Sequence, residues 1–335
     1  MKKFSFFVGI DVSKETLDVC VLKSEKVEVL SLSVVTNTQK GIKSIISGLK
    51  QFKIDCSDTL FCFENTGVYS MPLSVFFSEA MLNYCEIPAL EIKKSKGITR
   101  GKSDKTDARD IALYSARNID KLLLSSVAEV DIQQLKLLFS EREKLVKSIK
   151  LFESTQEGKA FIPGSIYKVI TTSNRKTVAF LKKSLKAIDG KIKSIREQNE
   201  RLNAQYQLLK SVPGIGDITA LYMIVTTRGF ERFENWRKFA CYSGIAPFQY
   251  TSGSSIRGKT RVNHLADKKM KSLLNMAALS AVRHDQEIKE YYERKINEGK
   301  NPMLVLNNIR CKIVGRAFAV INRSTPFVNF KKYAA

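Results

Sequence analysis

Apolar residues recur along this chain with two different periods. The longest regular run comprises Val178, Leu181, Leu185, Ile188, Ile192, Ile195, Asn199, Leu202, Tyr206 and Leu209, at alternating steps of three and four. A period of ~3.5 residues predicts a coiled-coil seam on one continuous helix. Ser211-Val212-Pro213-Gly214 stops it, because proline cannot donate a helix bond. At ~1.5 Å per residue the helix would run on the order of 50 Å. Asn199 is the one polar seam position, where a lone Asn can fix register and partner number. From Ile132 to Phe152 a weaker stripe of Ile132, Leu135, Phe139, Val146 and Ile149 is interrupted by Arg142.

Towards the N-terminus the period changes. Phe4 to Ile10, Leu17 to Leu22 and Val27 to Val35 are β-type runs separated by short polar breaks, which predicts an antiparallel meander. Thr38 to Phe52 reads as a helix, Leu60 to Phe63 as a fourth strand, Ser70 to Leu82 as a helix and Tyr84 to Ile87 as a short strand. A basic loop, Lys93 to Arg109, overlaps a helix from Thr106 to Asn118. Three antiparallel strands followed by alternating helices and strands describe a ribonuclease-H-like domain; an actin-like ATPase domain begins the same way. Beyond the heptads, Phe233 to Gly244, Ala266 to Ala281 and Met303 to Ile321 read as helices. The expected fold is α/β plus α. Residues 1–125 are expected to form the ribonuclease-H-like domain, 126–210 a helical linker and coiled coil, and 211–335 a mostly helical C-terminal domain.

Charge then narrows the function. Lys and Arg number 56 against 33 Asp and Glu, a net charge of +23. Such an excess repels itself unless an anion is bound; nucleic acid is the leading partner and an anionic membrane surface the weaker one. The six cysteines form no C-x-x-C pair, and there are only two histidines, His264 and His284, so zinc ribbons and disulfide frameworks are not indicated. Reduced thiols fit a cytoplasmic protein. Met1-Lys2-Lys3 and the apolar run after it mimic a signal peptide, but Asp11 ends that run early. No apolar run approaches the ~18 residues of a spanning helix, so no membrane partner is expected.

Four carboxylates fall where strands and helices end. Asp11 closes the first strand and Glu64 the fourth, while Asp104 and Asp107 stand three apart at a helix start. Converging acids repel unless a cation neutralises them, and hard oxygen ligands select Mg²⁺ or Mn²⁺. A pair of such ions can clamp the attacking and leaving oxygens of a phosphoryl displacement. Taken singly, each acid has an ordinary use as a cap, a surface charge or a helix-dipole partner. Lys102, Lys105 and Arg109 beside them suit a polyphosphate strand.

The C-terminal third carries a different chemistry. Val212-Pro213-Gly214-Ile215-Gly216 looks like a helix-hairpin-helix turn, whose backbone N–H groups grip phosphate through Gly214 and Gly216; a packing corner reads equally well. Ala246 to Val262 combines Ser252, Ser254 and Ser255 with Arg257, Lys259 and Arg261 and holds no acid. From composition alone this is a flexible, phosphate-binding loop, since a serine nucleophile needs an activating base, metal or cation.

Five segments occur in order: Gly9-Ile10-Asp11-Val12-Ser13-Lys14, Phe63-Glu64-Asn65-Thr66-Gly67, Lys102 to Ala108, Val212 to Gly216, and Gly244-Ile245-Ala246-Pro247 with Thr251-Ser252-Gly253. Together they resemble the DEDD transposases of the insertion-sequence one-hundred-and-ten family, relatives of the Piv invertase, over nearly the whole chain. The resemblance implies Asp11, Glu64, Asp104 and Asp107 as a catalytic Mg²⁺ (or Mn²⁺) site, and Ser252 as a nucleophile forming a covalent serine–DNA intermediate. It also implies double-stranded DNA ends as substrate, a structured non-coding guide RNA, and a homo-tetramer built from dimers. The alternatives are a RuvC-like endonuclease that cuts branched DNA without a covalent intermediate, an actin-like ATPase, and a catalytically silent nucleic-acid-binding protein.

Overall fold

The computed structural model describes residues 4–95, 104–125, 130–154, 161–252, 256–262 and 266–329. The chain divides into two compact units, Met1–Val127 and Ala128–Ala335.

The first unit is a five-stranded mixed sheet covered on both faces. Its elements are β1 (Phe6–Val12), β2 (Thr16–Lys23), β3 (Glu28–Thr36), α1 (Gln39–Gln51), β4 (Thr59–Glu64), α2 (Met71–Glu79), β5 (Tyr84–Ile87), α3 (Ala89–Ser95) and α4 (Asp104–Arg117). Strand order is β3-β2-β1-β4-β5; β1, β2 and β3 pair antiparallel, whereas β4 pairs parallel with β1 and β5. This is the meander-plus-crossover order expected of a RuvC-like domain. Strand alternation splits the side chains between two layers. Val8, Ile10, Val12, Leu17, Val19, Phe61 and Phe63 pack with Ile42, Ile45 and Leu49 of α1 and with Leu73 and Phe77 of α2. On the other face Phe7, Leu60, Cys62 and Cys85 meet Ile111, while Cys20 and Leu22 meet Ala108 and Ala112 of α4. Burial on both faces explains why these strands read as continuous apolar runs.

Gly9 sets the fit of α4. A Cβ there would overlap the Ala108 carbonyl oxygen and the Ala112 amide, and would stand 2.9 Å from Ala112 Cβ. The basic loop of the sequence reading is therefore partly helical: α3 occupies Ala89–Ser95, and α4 starts at Asp104.

The second unit is mostly helical: α5 (Val130–Glu153), α6 (Gly164–Gln198), α7 (Glu200–Lys210), α8 (Asp217–Thr227), α9 (Trp236–Tyr242), the hairpin β6 (Pro247–Ser252) and β7 (Ile256–Val262), then α10 (Lys268–His284), α11 (Gln286–Asn297) and α12 (Pro302–Arg323). Its core gathers Leu202, Leu209, Met223, Ile224, Phe239, Leu274, Ala278, Ile309, Ile313 and Val314, all buried. Among the described residues no helix is long and apolar enough to cross a membrane.

The heptad run is not one helix. Asn199 leaves helical geometry (φ −108°, ψ 106°), closing α6 and capping α7 by accepting from the Leu202 amide. Its side-chain amide donates to Asp131 at 2.7 Å. Arg142 meets Asp189 at 2.7 Å and Lys182 meets Glu153 at 2.8 Å. Partners advance along α5 as they retreat along α6, so the two helices pack as an antiparallel hairpin within one chain. The polar seam residue is thus a helix break tied to α5, and Arg142 interrupts the α5 stripe because it pairs across the hairpin. Towards the hairpin end, Leu151, Phe161, Ile166, Val169 and Phe180 remain exposed.

Candidate active site

The register of the sheet places the first two acids side by side. Ile10 pairs with Phe63 across the parallel β1–β4 seam, so Asp11 and Glu64 follow at adjacent strand ends. Both belong to the alternation that faces α4, opposite the layer of Ile10 and Phe63. Ala108 and Ala112 lie over Gly9, while Ile111 lies against the layer of Phe7 and Leu60. Helix α4 therefore runs antiparallel to β1, and its first turn comes to the Asp11 end of the sheet. That turn opens at Asp104, with Asp107 one helical turn on. Asp11, Glu64 and Asp107 are half-buried. Among the described residues, no group of three His, Cys, Asp or Glu side chains lies close enough to hold an ion.

Two neighbours of this end were not found from sequence. Asp18 pairs directly with Asp11 across β1–β2 and is half-buried on the same face. Facing carboxylates destabilise a strand pair unless a cation sits between or beside them. Its only sequence signal was its place in the alternation of β2. The second is Asn37, just after β3. Its amide donates to the Ser13 carbonyl at 3.0 Å and to the Tyr69 carbonyl at 2.9 Å, joining the turn after Asp11 to the loop after Glu64. Asn65 extends this frame: it donates to Glu86 at 2.8 Å, and its Oδ1 accepts from the Gly67 amide at 3.2 Å.

Asn37→Ala removes both ties. Each is worth roughly 0.5–1.5 kcal/mol net, so a loss of about 1–3 kcal/mol is expected. The half-saturating Mn²⁺ concentration for DNA cleavage should rise with it. Unchanged metal dependence at full folding would show that Asn37 does not position the acids.

The basic residues are more dispersed. Arg109 is exposed on α4 and lies 3.5 Å from Glu28. Lys105 is in the first turn of α4, and Lys102 lies outside the described residues. Gly214 takes φ +88°, where a Cβ would overlap the Ala277 carbonyl oxygen and stand 2.9 Å from Ala281. That glycine lets the turn pack on α10. Gly216 is exposed and precedes α8, whose first residue Asp217 accepts from Tyr206 at 2.7 Å and pairs with Lys210 at 2.7 Å. The Lys210 and Tyr206 donors hold the Asp217 carboxyl below the usual range, so this helix start already carries its own anion. The supposed flexible loop is a two-stranded hairpin: Ser252 ends β6, and Arg257, Lys259 and Arg261 lie along β7. Ser254, Ser255 and His264 lie outside the described residues.

Residues 8–153 match the profile of the IS110 DEDD transposases, and residues 206–293 match that of the "Transposase IS116/IS110/IS902 family". The chain belongs to the IS110 family of DEDD transposases. This transposase is similar to the "Pilin gene-inverting protein" of Moraxella bovis, 26% identical over 328 residues, covering 96% of this chain and 97% of that protein. The protein of the same name from Moraxella lacunata matches to the same extent. The "Transposase for insertion sequence element IS1533" of Leptospira borgpetersenii is 24% identical over 260 residues, 70% of this chain and 73% of that protein. As a member of this family the transposase is a phosphoryl-transfer enzyme.

The family assignment corrects the chemistry expected at Ser252. The profile over residues 8–153 is that of a DEDD transposase, which indicates RuvC-like, metal-dependent cleavage and not a covalent serine–DNA intermediate.

Proposed function

We propose that this transposase cuts double-stranded DNA by metal-assisted hydrolysis at the carboxylate end of its N-terminal sheet, on branched recombination intermediates or element ends. Asp11, Glu64, Asp104 and Asp107 would hold one or two Mg²⁺ or Mn²⁺ ions. Bound divalent ions supply neutralisation of the phosphodiester charge and polarise it towards attack by water. The donor set fits: it consists of hard carboxylate oxygens on two adjacent strand ends and one helix start. The observation that carries the reading is the β1–β4 register, which sets Asp11 beside Glu64 under the helix bearing the other two acids. Asp11 and Glu64, on the rigid sheet, fix where the phosphate is held. Asp107 approaches from α4 at a distance set by Gly9. The exposed Arg109 of α4 would grip a flanking phosphate, and the cations of the Arg257–Arg261 segment are proposed as further phosphate contacts.

A cytoplasmic homo-oligomer completes the proposal. The exposed Leu151, Phe161, Ile166, Val169 and Phe180 support assembly through the α5–α6 hairpin, with the tetramer as the proposed number. The surplus positive charge also supports a structured RNA as a second polyanionic partner.

The experiment is strand cleavage of labelled duplex and branched DNA with Mg²⁺. Cleavage should vanish with a chelator and persist in Ser252→Ala, with no DNA retained on denatured protein. Cleavage that survives chelation, or is lost in a folded Ser252→Ala protein, would defeat the reading.

A further inference from the structure

The two arms of the central hairpin differ in charge. Helix α5 carries five Lys or Arg against four Asp or Glu, a balanced surface. Helix α6 carries nine against two. Only some of the nine are compensated: Lys182 reaches Glu153, and Lys193 and Arg196 reach Glu197. Lys168, Arg175, Lys176, Lys183, Lys186 and Lys191 are exposed and form no ion pair among the described residues.

The positions are ordered. Lys168, Arg175, Lys182, Lys186 and Lys193 follow one another at seven- and four-residue steps, which keeps them in one line along the helix. Lys176 and Lys183 flank that line. The apolar seam of Leu181, Leu185, Ile188, Ile192 and Ile195 occupies a different face, half-buried or buried in the hairpin. Small residues Thr172, Ala179 and Gly190 lie among the cations, and Gly190 has open space where a Cβ would project. From Lys168 to Lys193 the line runs ~38 Å at ~1.5 Å per residue, close to the ~34 Å of one duplex turn.

We propose that the solvent face of α6 is a docking surface for the phosphate backbone of duplex DNA. Charge complementarity names the partner as a polyphosphate. Length favours a duplex: the row spans about one helical turn, so its cations can meet phosphates on both sides of a groove, and its five positions are all Lys or Arg, with the exposed Phe180 off that line. A charged face kept only for solvation would mix signs, as α5 does. The surface lies outside the acid site, and binding to it needs no metal, so the proposal stands or falls separately from metal-assisted cleavage.

The test is fluorescence anisotropy of a 30-base-pair duplex (a length chosen as about three helical turns) without divalent metal, across a salt series. The full-length chain is compared with a variant carrying Arg175→Gln, Lys176→Gln, Lys183→Gln and Lys186→Gln. A control removes the same charge from α5 through Lys136→Gln, Lys144→Gln, Lys147→Gln and Lys150→Gln. Each lost phosphate contact removes about 0.9 from the slope of log affinity against log salt. The α6 variant should therefore lose about three to four in slope, and the control less than about one. Circular dichroism should show both folded. Equal slopes for wild type and the α6 variant, or equal losses in both variants, would overturn the proposal. So would a loss seen only with an RNA duplex of the same length.

Discussion

Asp11→Asn is expected to reduce DNA strand cleavage by on the order of 10³-fold or more while leaving the protein folded. In the proposed metal site the carboxylate is one of the hard anionic donors, and such sites contribute several kcal/mol of transition-state stabilisation, about tenfold per 1.4 kcal/mol. Stability should move the other way. Asp11 faces Asp18 across β1–β2, so removing one charge relieves a like-charge pair worth a few tenths of a kcal/mol to about 1 kcal/mol. In metal-free buffer the variant should melt at or above wild type. With Mn²⁺ the order should reverse, because only wild type gains stability from a ligand bound to the native state. Melting curves with and without Mn²⁺, beside a cleavage assay, check both parts. Wild-type cleavage in the variant, or an equal Mn²⁺ shift in both proteins, would remove Asp11 from the site.

Gly9→Val should destabilise the N-terminal unit. By strand propensity alone valine would be favoured over glycine in β1 by up to about 1 kcal/mol. Packing opposes this. The new Cβ would overlap backbone atoms of Ala108 and Ala112, which cannot swing aside as a flexible side chain would. Overpacking of a tight site costs typically 1–3 kcal/mol and occasionally more, so a net loss of roughly 2 kcal/mol is expected. Moving α4 also moves Asp107, so metal-dependent cleavage should fall further than stability accounts for. Thermal unfolding and Mn²⁺ titration of cleavage measure the two effects. An unchanged or raised melting temperature would show that α4 does not rest on Gly9 as described.

The N-terminal half was legible because its signals are local. Asp11 and Glu64 close apolar runs that become β1 and β4, and the short break between Leu22 and Val27 already implied an antiparallel turn. Long-range pairing carried what was missed. Asp18 looks like any acid in an alternating strand until the register sets it against Asp11. Asn37 looks like a turn residue until its amide is seen to bridge Ser13 and Tyr69. In the second half, heptad spacing continued through Asn199 although the helix did not. Asp131, distant in sequence, supplies the partner that makes a cap better than a seam residue. The Ser- and Gly-rich stretch read as a flexible loop because small polar residues mask strand propensity; cross-strand pairs such as Pro247 with Val262 order it. α11 was passed over, since its polar sequence buries only Ile288.

The most direct test of metal-assisted hydrolysis is the origin of one oxygen. A single turnover of Mg²⁺-dependent cleavage in ¹⁸O-water, followed by mass spectrometry of the DNA ends, reports whether water or protein attacked the phosphate. Metal-assisted hydrolysis predicts one solvent oxygen in each new terminal phosphate and no DNA bound to denatured protein. Terminal phosphates without solvent oxygen, or DNA held covalently by the protein, would contradict it.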